Sequence, residues 1–187
     1  MKLPIIVNLW AGPGCGKSTT ASLVFHILKI EGYRAELCTE FAKELTYTGR
    51  RDELRDQLWV SAVQEHRHRI LIDKVDIIVT DSPTGLGGAY VKTSWKERDL
   101  VAAMARFARP HYDNMDFWLM RDLKRPYQAY GRRERTLGEA QGKDDVVREV
   151  MMHTTSAGYT HSILADAKAA KTIADAVKAR LKGVSGQ

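Results

Sequence analysis

Ile5-Ile6-Val7-Asn8-Leu9-Trp10 runs without a break into Ala11-Gly12-Pro13-Gly14-Cys15-Gly16-Lys17-Ser18. The first six residues are mostly apolar and partly β-branched, which reads as a short buried strand. The next eight fit the pattern G-x-x-x-x-G-K-[ST], with Ala11 in the place of the first glycine. Behind them Leu23, Val24, Ile27, Leu28 and Ile30 recur at roughly helical spacing, and Gly32 follows as a stop signal. Strand, glycine-rich turn and helix are the context a phosphate-binding loop requires. The residue types then dictate the chemistry. Gly12, Gly14 and Gly16 let main-chain N–H groups close on a polyphosphate. The helix that follows presents the positive end of its dipole. Lys17 brings a point charge to β and γ phosphates, and the Ser18 hydroxyl suits Mg²⁺. The expected nucleotide contacts are Gly12, Pro13, Gly14, Cys15, Gly16, Lys17, Ser18 and Thr19. A G-x-G-x-x-G dinucleotide turn is excluded, because Lys17 stands where the last glycine would be.

Further along, strands and helices alternate. Ala35–Cys38, Val75–Thr80, Phe117–Met120 and Tyr159–Leu164 read as four more strands. Helical patterns cover residues 52–72, 96–108, 143–157 and 165–182. In the first of these, Leu54, Leu58, Ala62, Ile70 and Leu71 mark the expected apolar face. In the last, Ile173, Val177 and Leu181 are spaced by four. Strands that are near-continuous apolar runs, separated by helices, predict a parallel sheet covered on both faces. The expected fold is an α/β three-layer sandwich of the P-loop NTPase type, with about five parallel strands in one domain spanning residues 1–187. Two stretches break the alternation, 81–95 and 121–143. Both follow strands, at the edge where ligands bind in doubly wound sheets.

Val75-Asp76-Ile77-Ile78-Val79-Thr80-Asp81 is a strand ending in an acid. Asp81 suits a place beside Mg²⁺ in a P-loop protein; the competing reading is an Asp that caps the turn Asp81-Ser82-Pro83. Composition excludes other classes. With 187 residues, 44% hydrophobic and 28% charged, the chain has enough apolar side chains for one substantial core. No apolar run approaches the ~18 residues of a membrane helix, so no membrane partner is expected. The apolar start is too short for a signal peptide, and Cys15 and Cys38 imply no disulfide framework. A reducing cytoplasm is the expected location.

Four segments carry a resemblance to a known family. They are Ala11–Thr19, Thr39-Glu40-Phe41-Ala42-Lys43-Glu44, Asp81-Ser82-Pro83, and Lys124-Arg125-Pro126-Tyr127 with Gly131-Arg132. Over its whole length the chain resembles the small P-loop nucleoside and nucleotide kinases of the thymidylate-kinase-like kind, especially those of tailed phages. Within that branch it is most similar to the phage kinases that phosphorylate 5-hydroxymethyluracil in DNA, a step of thymidine hypermodification. The resemblance implies an ATP- and Mg²⁺-dependent kinase in the cytoplasm of a host cell. Its acceptor would be the 5-hydroxymethyl group of deoxyuridine in DNA, or alternatively a free deoxynucleoside or deoxynucleoside monophosphate. It also implies Lys17, Glu40, Asp81 and Arg132 as catalytic residues, with Ser18 and Asp81 at the metal. Glu40 would orient or deprotonate the acceptor; a Glu held by a helix N-terminus is the other reading, Glu44 is the fallback base, and Asp81 is a further candidate for that role. The thymidylate kinase pattern has Asp-Arg where this chain has Asp81-Ser82. The missing Arg counts against a monophosphate acceptor.

The net charge of +6 is concentrated. Residues 121–135 hold Arg121, Lys124, Arg125, Arg132, Arg133 and Arg135 against Asp122 and Glu134. The resemblance makes 121–143 a lid over ATP whose arginines spread the charge of the transferring phosphoryl group; a solvated loop is the alternative. Tyr127 and Tyr130 interleave with these cations and suit either base stacking or ordinary packing. His66-Arg67-His68-Arg69 reads as a solvated basic helix face. A GTPase is excluded by the absence of Asn-Lys-x-Asp, and a large motor ATPase would need more chain. A non-catalytic ATP-binding regulator is the alternative outside enzymes. Composition, spacing and charge leave the oligomeric state open.

Overall fold

Alternate residues of each strand face opposite layers, and both layers are apolar. Ile5, Val7 and Leu9 of β1 (Ile5–Trp10) belong to one core, and Ile6 and Trp10 to clusters on the other face. The same split divides Ile77 and Val79 from Ile78 in β3 (Ile77–Thr80), and Phe117 and Leu119 from Trp118 in β4 (Asp113–Met120). Strands buried on both faces have nowhere to sit except the middle of a sandwich. In the computed structural model, which describes residues 3–92, 95–128, 134, 136–155 and 160–185, that is their place.

With β2 (Ala35–Cys38) and β5 (Thr160–Leu164), the strands form a five-stranded sheet in the order β2-β3-β1-β4-β5, with every neighbouring pair parallel. The helices α1 (Lys17–Ile30) and α6 (Ala169–Ser185) pack together on one face. Val24, Leu28, Ile173 and Val177 meet the strands there with no exposed surface. The helices α3 (Gln57–Arg69), α4 (Trp95–Ala108) and α5 (Leu137–Thr154) cover the other face, and α2 (Phe41–Tyr47) is a short helix after β2. This is a P-loop NTPase α/β sandwich. No helix among the described residues is long and apolar enough to cross a membrane.

Several elements differ from the sequence expectation: β4 begins at Asp113 rather than Phe117, α6 begins at Ala169 rather than 165, and three helical regions on the other face of the sheet change more. The seven-residue α2 is too short to show a period. The helix expected at 52–72 is shorter: a 3₁₀ turn at Glu53–Arg55 precedes it, and Asp56 caps α3 by accepting from the Trp59 N–H at 2.9 Å. The helix expected from 143 starts at Leu137, because Thr136 and Glu139 form a reciprocal capping box. The basic loop after β4 therefore ends at 136.

The largest correction concerns α3. Its expected apolar face is buried only in part: Leu54 belongs to a core cluster and Leu71 packs against another, but Ala62 and Ile70 are exposed, and the α3 residues turned inward are Gln57, Val60, Ser61, Gln64, Glu65 and His68. The basic segment at its end divides likewise. His66 and Arg69 are exposed as a solvated face requires, Arg67 is half-buried over the Phe41 ring, and His68 is 0% exposed.

Candidate active site

β1 ends at Trp10 and the chain turns at once around the helix axis of α1. Gly14 (φ 73°) and Gly16 (φ 94°) take left-handed conformations that non-glycine residues rarely adopt, and Gly16 is the N-cap of α1. The first turn of α1 thus directs its N–H groups into the loop. Lys17 Nζ donates to the carbonyls of Ala11 (2.8 Å) and Gly12 (3.1 Å), which folds its stem across the loop. Cys15 is buried, and its thiol donates to the Leu119 carbonyl at 3.2 Å. Burial pushes that thiol up to about 11, against the pull of Arg121 and Lys17, so it stays protonated near neutral pH.

The loop is gripped from the side. Arg121, the first residue after β4, makes a bidentate pair with Asp144 of α5 (2.8 and 2.7 Å) and donates to the Pro13 carbonyl at 2.8 Å. Burial opposes the guanidinium charge, but the Asp144 carboxylate outweighs it and raises its pKa. Asp144 lies so close to Gly12 that a Cβ there would run into its Oδ1, which is why the loop needs glycine at this point. Arg121 is thus a structural clamp, with 8% of its side chain exposed. In that loop Arg125 pairs with Asp122 at 3.4 Å, and the Tyr127 hydroxyl donates to the Glu134 carbonyl at 2.9 Å. Arg132, Arg133, Arg135 and Tyr130 lie outside the described residues.

Two cavities flank the loop. One, of about 280 Å³, joins Pro13, Gly14 and Gly16–Thr19 to Glu40, Lys43, Tyr47, Tyr90 and Gln128. The other, of about 290 Å³, lies against Gly14, Cys15, Gly16 and Thr19, and is lined further by Arg121, Leu123, Tyr127 and Ala165. Lys17, Ser18 and Glu40 are therefore brought to one opening. Glu40 is the N-cap residue of α2, yet its side chain makes no capping hydrogen bond to that helix. Glu44 instead faces α3, where Arg67 donates to it at 2.6 Å. Tyr90 ends a 3₁₀ stretch, Thr84–Tyr90, inside the loop-like segment after β3, and Lys143 Nζ lies 5.2 Å from its ring centre. Tyr47, Tyr90, Gln128 and Asp144 were not legible as site residues. Tyr90 had a weak signal, as the aromatic residue of a glycine-rich segment at the ligand edge of the sheet.

Asp81 follows β3, the strand next to β1, with Thr80 in register with Asn8. It is 2% exposed, and its Oδ1 has no hydrogen-bond partner. The turn after it is capped by Thr80, whose Oγ accepts from the Ser82 N–H at 3.1 Å. An orphaned buried carboxylate oxygen is costly unless something binds it. The Ser18 hydroxyl lines the cavity that holds Lys17 and Glu40, while Asp81 is buried at the end of β3; each is a hard oxygen donor of the kind Mg²⁺ takes, and in donor chemistry they fit that ion.

Residues 7–116, from β1 through the loop and into β4, match the model of the ATPase family associated with various cellular activities (AAA). The chain belongs to this family. No curated protein matches it by sequence. Solved structures show the same fold at low identity. The APS kinase of Mycobacterium tuberculosis, in complex with AMPPNP and APS, aligns with a TM-score of 0.51 at 13% identity, covering 95% of this chain and 98% of that one. The deoxyadenosine kinase from M. mycoides, with dCMP and a flexible dCDP bound, gives 0.53 at 13% identity, covering 95% and 99%. The family places the loop in a P-loop ATPase core, and the structural neighbours are small P-loop kinases.

Proposed function

We propose that the chain is an ATP- and Mg²⁺-dependent kinase that passes the γ-phosphoryl group to a nucleoside hydroxyl. One observation carries this reading: two cavities of similar size share Gly14, Gly16 and Thr19 of one phosphate loop, and Glu40 lies in the same opening as Lys17 and Ser18. A donor and an acceptor need two places, whereas a simple nucleotide binder needs one. The APS kinase neighbour, which holds AMPPNP and APS together, gives an example of such a pair on this fold.

The loop amides and Lys17 bind the β and γ phosphates. Ser18 and Asp81 would hold Mg²⁺, which neutralises phosphate charge when bound. The acceptor oxygen forms a bond to the γ phosphorus as the bond to the bridging oxygen of ADP breaks, and Glu40 accepts the hydroxyl proton. Arg132, on the resemblance to lid arginines, stabilises the charge on the transferring group. For the acceptor we propose the 5-hydroxymethyl group of deoxyuridine in DNA. The four resembling segments support it, and the Ser at position 82 counts against a nucleoside monophosphate.

Labelled ATP offered with hydroxymethyluracil DNA, ordinary DNA, free deoxynucleosides and monophosphates tests both levels. Label is expected in the modified DNA alone. Label only in a free nucleotide would overturn the DNA acceptor and keep the kinase. ATP binding with no acceptor-dependent transfer would leave a non-catalytic regulator. Glu40→Gln is expected to lower turnover about 10²–10⁴-fold with little change in the KM for ATP.

A further inference from the structure

The polar face that α3 buries converges on one imidazole. Gln64 grips the backbone on both sides of Glu40: its Oε1 accepts from the Phe41 N–H at 2.9 Å, and its Nε2 donates to the Thr39 carbonyl at 3.3 Å. Thr80 does the same around Asp81, preceding it in the chain while its Oγ accepts from the Ser82 N–H. His68 joins the two. Its Nε2 lies 3.2 Å from Gln64 Nε2 and 3.1 Å from Thr80 Oγ1. Its Nδ1 lies 3.3 Å from Thr84 Oγ1, whose own proton goes to Glu65 Oε2 at 2.7 Å.

The donors decide the tautomer. Because Gln64 Oε1 is fixed by the Phe41 N–H, the amide NH₂ faces His68. An N–H on His68 Nε2 would then meet another N–H. So Nε2 carries the lone pair, shared by the Gln64 amide and the Thr80 hydroxyl, and Nδ1 carries the proton, donated to Thr84 Oγ1. Every polar atom on this path has a partner of the right kind. Burial opposes ionisation of Glu65, but the groups around it hold its carboxyl below the usual range: Thr84 donates to Oε2 at the end of the path, with His68 Nδ1 3.7 Å from that oxygen, and Tyr112 donates to the other oxygen, Oε1.

We propose that Gln64 and His68 are positioning residues that hold the backbone around Glu40 and the backbone around Asp81 at a fixed separation, with His68 neutral and protonated on Nδ1. This rests on the kinase reading for its catalytic consequence, though not for the bridge itself. Neither residue touches the reacting atoms. A bridge of neutral, mutually satisfied groups in a water-excluded layer fixes geometry in a way two separate loops would not.

Three variants and one spectrum test it. Gln64→Glu keeps the shape and the bond from Phe41 but removes the donor to His68. Thr80→Val removes the hydroxyl at constant volume. Tyr112→Phe removes a bond to Glu65, off the path, and serves as the structural control. Gln64→Glu and Thr80→Val are each expected to lower acceptor-dependent kcat about 10–100-fold, with the KM for ATP within about twofold. Their double variant should lose less than the product, as residues of one unit do. Tyr112→Phe should lower thermal stability and leave kcat unchanged. Side-chain ¹⁵N NMR of the wild type should show His68 protonated on Nδ1 and bare on Nε2, with that pattern lost in Gln64→Glu. An Nε2-protonated His68 in the wild type would overturn the bridge whatever the enzyme does. Multiplying kcat losses, or an equal kcat loss in Tyr112→Phe, would overturn the positioning role. Absence of any phosphoryl transfer in the wild type would sink the kinase reading, and the spectrum would still decide the bridge.

Discussion

The helices α1 and α3 lie on opposite faces of one sheet and bury opposite kinds of side chain. The inward residues of α1 are Thr20, Ala21, Val24 and Leu28; those of α3 are Gln57, Val60, Ser61, Gln64, Glu65 and His68. Both helices are held by the sheet, but by different physics. The apolar face gains free energy in proportion to the area it removes from water, and it tolerates any well-packed side chain. The polar face gains little from burial and loses heavily if one partner goes missing. It is retained where direction matters. α1 brings only its first turn to the phosphate site, while α3 reaches the backbone beside Glu40 and the Thr80 hydroxyl beside Asp81. A face that buries hydrogen-bonding groups next to a cavity marks where the fold is specified for chemistry rather than for stability.

The sharpest way to break this division is at the chemical end of α1. Lys17→Ala should lower turnover about 10²–10³-fold, the scale for removing one charge-stabilising donor, with thermal stability nearly unchanged. Full activity in that variant would show that the loop of α1 is not the phosphate site. Four residues to the rear of that helix's midpoint the expectation reverses. Leu28→Ala empties a fully buried position and should cost about 2–5 kcal/mol in urea unfolding, while kcat well below the melting temperature stays that of the wild type.

The polar face should answer to acid. Glu65 has its pKa held below 4.5 in the folded state, so it adds stability that is present above pH 4.5 and is lost as pH falls through that value towards the folded pKa. Glu65→Gln should therefore be less stable than the wild type at pH 7, by about 1–3 kcal/mol, and the gap should close as the pH drops below 4.5. Other carboxylates titrate in both proteins, so the difference between the two urea midpoints isolates Glu65. A gap constant with pH would mean that the carboxylate is not the anion the network is built on.

This contrast also explains what the sequence disclosed. The phosphate loop was legible because its strand, glycines, Lys17 and helix are contiguous, and the parallel sheet because strands such as Ile77–Thr80 are apolar on both faces. Val24, Leu28, Ile173 and Val177 lie on the helical spacing read from the sequence, although Leu23 and Ile30 of the same run are exposed. The inward face of α3 did not, because hydropathy assigns Gln, Glu and His to the surface and their partners Thr39, Thr80, Thr84 and Tyr112 lie 12 to 47 residues away. The same distance hid the Arg121–Asp144 clamp. The start of α5 was written in Thr136 and Glu139, but a basic stretch masked it.

The two cysteines give the smallest and most exacting comparison, one thiol for each face. Cys15 belongs to the apolar core with α1, and Cys38 faces Gln64 on the other side. They are equally buried, at 6% exposure. Burial is the main cause in both, and it raises Cys15 from 9.0 to about 11 and Cys38 to about 12. The residual difference is electrostatic. Two cations, Arg121 and Lys17, pull Cys15 down against the one carboxylate of Asp144. Cys38 has Arg67 and a Gln64 hydrogen bond against the carboxylates of Asp81 and Glu65. A raised thiol pKa contributes stability that is complete below pH 9 and is lost as the unfolded thiol ionises first. The loss should level off near pH 11 for Cys15 and continue to about 12 for Cys38. Cys15→Ala and Cys38→Ala should each flatten the alkaline fall of the urea midpoint, Cys38→Ala over the wider range. Asp81→Asn removes a carboxylate from the surroundings of Cys38 alone. It should bring Cys38 down towards Cys15 and leave Cys15 where it is, read as the pH dependence of alkylation at each site by mass spectrometry. Equal movement of both thiols would mean that Asp81 does not act on the α3 face alone, and that the two faces are less separate than their side chains imply.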